Sequence, residues 1–196
     1  MPRVPPFDRP ATPEDLARLP DELLGEIVDG ELHAGHRPSP LVAGSAIVLG
    51  NLLLRGLPPG EAGGWQILPG PELRLHGDVF LPALAGWRVS RLPELPATPY
   101  FSIAPDWVCD IVSSTPASVR ARRMARYAAE GVSHAWLLDP GARALEVRRL
   151  EGDGRWADVA TCVGSQIVRA EPFETVELPL DALWPGEPEA RRPRRR

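Results

Sequence analysis

The sequence predicts an α/β protein, a mixed β-sheet flanked by helices, and three observations predict it. Apolar runs of strand length recur along the chain, as in "GEIVDGELHA", "WVCDIV", "HAWLLDP" and "ALEVRRL". Two longer stretches, opening near Ser39 and Pro116, carry helix starts and helical length. The second of these stretches lies between two apolar strands, which predicts a strand–helix–strand unit whose strands are parallel neighbours joined by a right-handed crossover.

The elements follow in order. Thr12-Pro13-Glu14-Asp15 is a helix start, with a threonine cap, proline in the first position and acids in the first turn, and the short helix should end near Pro20. "GEIVDGELHA" reads as two strands around an Asp29-Gly30 hairpin turn. Ser39-Pro40 opens a second helix that runs to about Leu54. "WQILPGPELRLHGDVFLPALAGW" reads as short strands with turns at Pro69-Gly70 and His76-Gly77, and a proline-punctuated connection then wraps the surface as far as Pro105. A strand over 106–112 precedes a helix from about Pro116 to Glu130, with Thr115 as cap and Gly131 as stop. "HAWLLDP" is the next strand, "ALEVRRL" and "RWADVATCV" form a hairpin with one wet face, and "AEPFETVELPLDALW" closes the chain with a short helix or edge strand.

Length and composition set the bounds. At 196 residues and 43% apolar content, the chain is expected to form a single globular domain over residues 12–185, between a proline-rich disordered start (1–11) and an arginine-rich disordered tail (186–196). No stretch is apolar for long enough to span a membrane, and the start lacks the apolar centre of a signal peptide, so a cytoplasmic protein is expected. Cys109 and Cys162 each sit in an apolar stretch and read as inert buried thiols. Every one of the 22 basic residues is arginine. Five of them lie in the tail, so residues 1–186 have 17 arginines against 24 acids, a net charge of −7. The body is therefore not a broadly basic surface; the tail reads either as a phosphate contact or as a solubilising end.

Most candidate chemistry falls away on inspection. His33 and His36 have no cysteine or carboxylate cluster in the sequence beside them and read as loop histidines, His76 as a surface residue, and His134 as a packing or hydrogen-bonding residue. Neither a glycine-rich phosphate loop nor a serine nucleophile elbow is present. The exception is Asp110, a carboxylate in the middle of an apolar strand, on the same face as Val108 and Val112. An ionised carboxylate in such a place costs several kcal/mol unless it is paired or binds a metal. The following helix carries Arg120, Arg122, Arg123 and Arg126, while Ala117, Ala121, Met124 and Ala128 mark the face expected to pack on the sheet. A pair between Asp110 and one of these arginines, fastening the helix, is one reading. Metal chemistry is the other.

"GEIVDGEL", "SP" at the second helix, "PELRLHGDVFLPALAGWR", "APDWVCDIVSSTPAS", "RMARYAAEGVSHAWLLDP" and "LEVRRLEG", taken in order, resemble the Uma-two family of restriction endonuclease-like proteins within the PD-(D/E)XK nuclease superfamily, over about residues 12 to 184. The resemblance implies a restriction-endonuclease-like core, with a central mixed sheet flanked by helices. The activity it implies is Mg²⁺-dependent hydrolysis of DNA phosphodiesters, in which carboxylates hold the metal, the metal activates a water and a lysine orients that water. Two copies often pair in such nucleases, so a homodimer belongs to the same expectation.

Carried over position by position, the resemblance makes Glu26 and Asp110 the metal-binding acids and Arg123 the residue standing in the lysine's place. Relatives have Pro-Asp where this chain has Pro82-Ala83, glutamate where it has Asp110, and lysine where it has Arg123. Alanine offers a hard cation no oxygen. Asp78 lies at an odd offset from position 83 and is a weak substitute. Arginine keeps the charge but loses the compact, tunable ammonium. The expectation is an endonuclease with a degraded site, weak or inactive. The alternative is a catalytically dead nuclease fold, a pseudoenzyme acting as a nucleic-acid-binding or regulatory module, with Arg120, Arg122 and Arg126 on the phosphates.

Overall fold

The structure, a computed structural model, describes residues 9–57, 64–112 and 116–184. The arginine-rich tail, most of the proline-rich start and the expected cap Thr115 lie outside the described residues.

Helix α1 (Pro13–Leu16) is one turn, shorter than its cap suggested. Thr12 and Asp15 form the capping box, with the Thr12 amide donating to the Asp15 carboxylate at 2.9 Å. The chain cannot stay helical up to Pro20, because proline disfavours the helical conformation at the residue before it. Strands β1 (Leu23–Val28) and β2 (Glu31–His36) pair antiparallel across Asp29-Gly30, whose φ values of 54° and 72° are the left-handed pair that a two-residue hairpin needs. In α2 (Pro40–Gly56) the Ser39 hydroxyl accepts from the Val42 amide.

Four short strands follow: β3 (Trp65–Pro69), β4 (Leu73–Leu75), β5 (Asp78–Phe80) and β6 (Leu84–Arg88). Beyond the irregular connection come β7 (Trp107–Ile111), α3 (Ala117–Ala129), β8 (His134–Asp139), β9 (Ala144–Leu150) and β10 (Trp156–Val163). The two-residue strands β11 (Ile167–Val168) and β12 (Leu178–Pro179) pair beside a 3₁₀ turn, Leu180–Leu183.

The main sheet has six strands in the order β10-β9-β8-β7-β6-β3, with β7 and β8 parallel and every other pair antiparallel. The mixed sheet with helices is thus as expected, and the strand–helix–strand unit β7–α3–β8 supplies its parallel pair. Less apparent from the sequence is a second sheet, β2-β1-β5-β4, whose two shortest strands have three residues each.

The period-two alternation along β7 places the site. Trp107 and Cys109 point into the core that α2 covers, where Trp107 meets Trp136 and Phe173 edge-on at 5.2 and 5.0 Å. Val108 points the other way, into a second core with Met124 and Tyr127 of α3 and Phe80 of β5. Asp110, two residues on from Val108, shares that side and lies beneath α3.

Helix α3 corrects the alanine face. Its buried residues are Val119, Arg123, Met124 and Tyr127, whereas Ala117 and Ala121 are exposed. Val119 and Tyr127 bury far more apolar area than alanines would, and that outweighs the regular alanine spacing. The same rotation turns Arg123, which is not on the alanine face, inward. The helix opens at Ala117 with Pro116 as its cap, one residue later than expected, and stops at Gly131, whose φ is +75°. Of the two free thiols, Cys109 is buried as expected but Cys162 is only half-buried, because β10 is an edge strand. No described helix is long and apolar enough to cross a membrane.

Candidate active site

Glu26 comes from β1 in the small sheet, Asp110 from β7 in the large one, and Arg123 from α3 above both. One Arg123 Nη2 hydrogen donates to Glu26 Oε2, and Nη1 stands 3.0 Å from Asp110 Oδ2. The remaining Glu26 oxygen, Oε1, accepts the Leu81 amide at 2.7 Å. A single guanidinium therefore joins the two sheets through two carboxylates. All three residues are buried, with Asp110 3% exposed and Glu26 and Arg123 each 9%.

A cavity of about 150 Å³ adjoins this triad, and Glu26, His33, His36, Ala83, Asp110 and Arg123 all line it. The structure thus brings together the four positions that the sequence singled out on separate elements. It also adds the two histidines, which lie on β2 and not in a loop. A signal for His33 was present: the Asp29-Gly30 turn fixes the hairpin register, which sets His33 directly across from Glu26 and on the same face.

The charges do not balance, since one guanidinium faces two carboxylates. Burial pushes the Glu26 carboxyl above its ordinary value. Arg123 and the Leu81 amide oppose that push, and Asp110 adds to it. Burial pulls Arg123 down, but the Asp110 and Glu26 carboxylates more than offset this, so the guanidinium is held above its ordinary value and stays charged. Burial, then Asp110, also push the Tyr127 phenol well up. Among the described residues, Asp110 Oδ1, Arg123 Nε and the Tyr127 hydroxyl have no hydrogen-bond partner, and Asp110 Oδ2 meets Arg123 at ion-pair distance without hydrogen-bond alignment.

The other arginines of α3 are engaged elsewhere. Arg122 Nη1 donates to Glu31 at 2.6 Å, and its Nη2 lies 3.3 Å from His33 Nε2. Arg126 Nε donates to Asp78 at 2.6 Å, with Asp29 at 3.7 Å and Glu130 at 3.9 Å. Arg120 also has an interaction partner. Asp78 stands on β5, outside the cavity lining, and so does not replace the oxygen missing at Ala83.

These residues do not fit the Mg²⁺ that the resemblance implies. Mg²⁺ needs near-octahedral oxygen ligands. Here a methyl group stands at position 83 and a guanidinium already bridges the two carboxylates, so an incoming dication meets a like charge at contact distance. Among the described residues, no group of three His, Cys, Asp or Glu side chains is placed to hold a metal ion.

The model of the Uma2 family, described as "Putative restriction endonuclease", matches residues 13–181. The chain belongs to this family. No curated protein matches this Uma2 member. Among solved structures it is similar to a crystal structure from Anabaena variabilis ATCC 29413, described as a "putative nuclease belonging to DUF820". The TM-score is 0.68 at 20% identity, over 89% of this chain and 98% of the other. That likeness supports the nuclease-like fold of the two-sheet architecture.

Proposed function

We propose that this Uma2 member is a nuclease-fold protein that no longer cleaves phosphodiesters by a metal-dependent route, its catalytic centre having become a structural latch. One observation carries the reading: the Arg123 guanidinium occupies the place between Glu26 and Asp110, opposite a methyl group at Ala83. The lysine of the family pattern would leave room beside a compact ammonium. Arginine fills that room with a planar fork that takes one carboxylate on each nitrogen. DNA binding, suggested by the family's description, is then separate from cleavage. It rests on the arginines at 191–196, since Arg122 and Arg126 are held by Glu31 and Asp78.

A supercoiled-plasmid nicking assay with Mg²⁺ or Mn²⁺ tests this. The expected result is no cleavage by the parent chain and cleavage by the double variant Ala83→Asp/Arg123→Lys, which restores an oxygen and frees space for the ion. Metal-dependent nicking by the parent, abolished by Asp110→Ala, overturns the proposal.

A further inference from the structure

Helix α2 covers one face of the large sheet with Ala46, Leu49 and Leu53, yet its outer side is apolar as well. A surface helix ordinarily turns charged residues to water. Over its 17 residues α2 has no acid and a single charged side chain, Arg55 in the last turn. On the outer side Ile47 is 60% exposed and Leu54 54%. Asn51 stands between them and donates its side-chain amide back to the Ile47 carbonyl at 2.9 Å, so its polarity is answered within the helix. At Gly44, three residues before Ile47, an added Cβ would meet no described residue within 4 Å, which leaves a notch in the face.

Positions 44, 47, 51 and 54 step by three, four and three residues, the spacing of a coiled-coil seam. That order is the same read in either direction. Laid antiparallel across a two-fold axis, two copies of α2 set each Leu54 over the other's Gly44 and each Ile47 beside the other's Asn51. Large then meets small at both ends of the seam, and the two Arg55 side chains stand far apart. A parallel pairing would face notch with notch and Arg55 with Arg55. We propose that the outer face of α2 binds a second copy of this chain in an antiparallel two-fold dimer. Charge selects this occupant. Residues 1–186 have 17 arginines against 24 acids, so two copies repel over most of their surface, and α2 is a neutral face on which they can meet. The arginine-rich tail, or a charged partner, finds no opposite charge there. A helix of this length is about 25 Å long. A seam of that size falls at the small end of specific interfaces, below about 1,200 Å², so the dimer is a weak and reversible one.

Analytical ultracentrifugation of the full chain tests it, the single chain having a mass of 21.4 kDa. The expected result is a reversible monomer–dimer equilibrium, half associated at about 10 µM. Ile47→Glu puts a charge into the seam and should weaken the dimer about tenfold or more. Gly44→Leu fills the notch and should also weaken it about tenfold, although it makes the face more apolar. Tighter association of Gly44→Leu overturns the inference, because unspecific apolar contact would gain from the added side chain. Both positions are open in the single chain, so both variants should keep the parent's circular dichroism. A parent that stays monomeric up to about 100 µM, or that grows beyond a dimer, also overturns the inference. So does a monomer that sediments with neutral phosphatidylcholine vesicles, a result that would give the face to a lipid surface.

Discussion

Arg123 and Arg126 stand three residues apart on α3, and each reaches carboxylates on other elements, yet the two sites have opposite physics. Arg123 is buried, touches both sheets and faces more negative charge than it can cancel. Arg126 is partly open to solvent, takes Asp78 as its close partner, and has Asp29 and Glu130 around it. Beyond Glu130 sits His76, exposed and 2.7 Å from that carboxylate. Water and salt reach the guanidinium and Asp29 of the second site, though not its buried partner Asp78, and reach nothing of the first. The number of ion pairs is similar, so environment decides what each arginine contributes.

The largest expected difference is in stability. Arg123→Met leaves Glu26 and Asp110 buried with no cation and should cost about 3–5 kcal/mol in urea unfolding. Arg126→Met should cost less, about 1–2 kcal/mol, because the buried Asp78 carboxylate that it leaves behind keeps the Gly30 amide as a donor. Equal costs would break the contrast.

Next comes salt. Raising NaCl from low to about 0.5 M shortens the screening length, so the cost of Arg126→Met should shrink while that of Arg123→Met stays fixed. A parallel decline in both would show that solvent enters the latch.

The smallest effect is with pH. Glu26 has its folded value raised above the ordinary carboxylate value, so the native state holds that proton more tightly than the unfolded chain does. The stability this proton contributes is fully present below the ordinary carboxylate value and is lost as pH rises through the folded one. Thermal unfolding of the parent and of Glu26→Gln across pH 4 to 7 should therefore shift in favour of the glutamine variant as pH rises. A shift in the other direction would mean that the attraction of Arg123 outweighs burial.

The sequence showed some of this and hid the rest, for identifiable reasons. Asp110 was legible because a carboxylate breaks an apolar strand, and the parity of β7 placed it toward α3. The hairpin at Asp29-Gly30 and the caps at Thr12 and Ser39 were legible because each rests on local chemistry. The inward turn of Arg123 was hidden: alanine spacing suggests a packing face, and nothing local says that a guanidinium will be buried in preference to Ala117 and Ala121. The strands of the small sheet were legible around their turns, but their joining was hidden: three-residue strands carry too little pattern to show that β5 pairs with the distant β1, Val79 opposite Ile27. Arg122 and Arg126 looked like a basic strip because Glu31 and Asp78 are 91 and 48 residues distant along the chain.

The Arg123–Glu26 contact spans 97 residues. Closing so large a loop is entropically unfavourable until other contacts have already drawn its ends together. The latch is therefore a terminal event of assembly: the hairpin, β7 and α3 must each find their places before the guanidinium can reach both acids. It certifies a finished fold and does not guide the chain toward one.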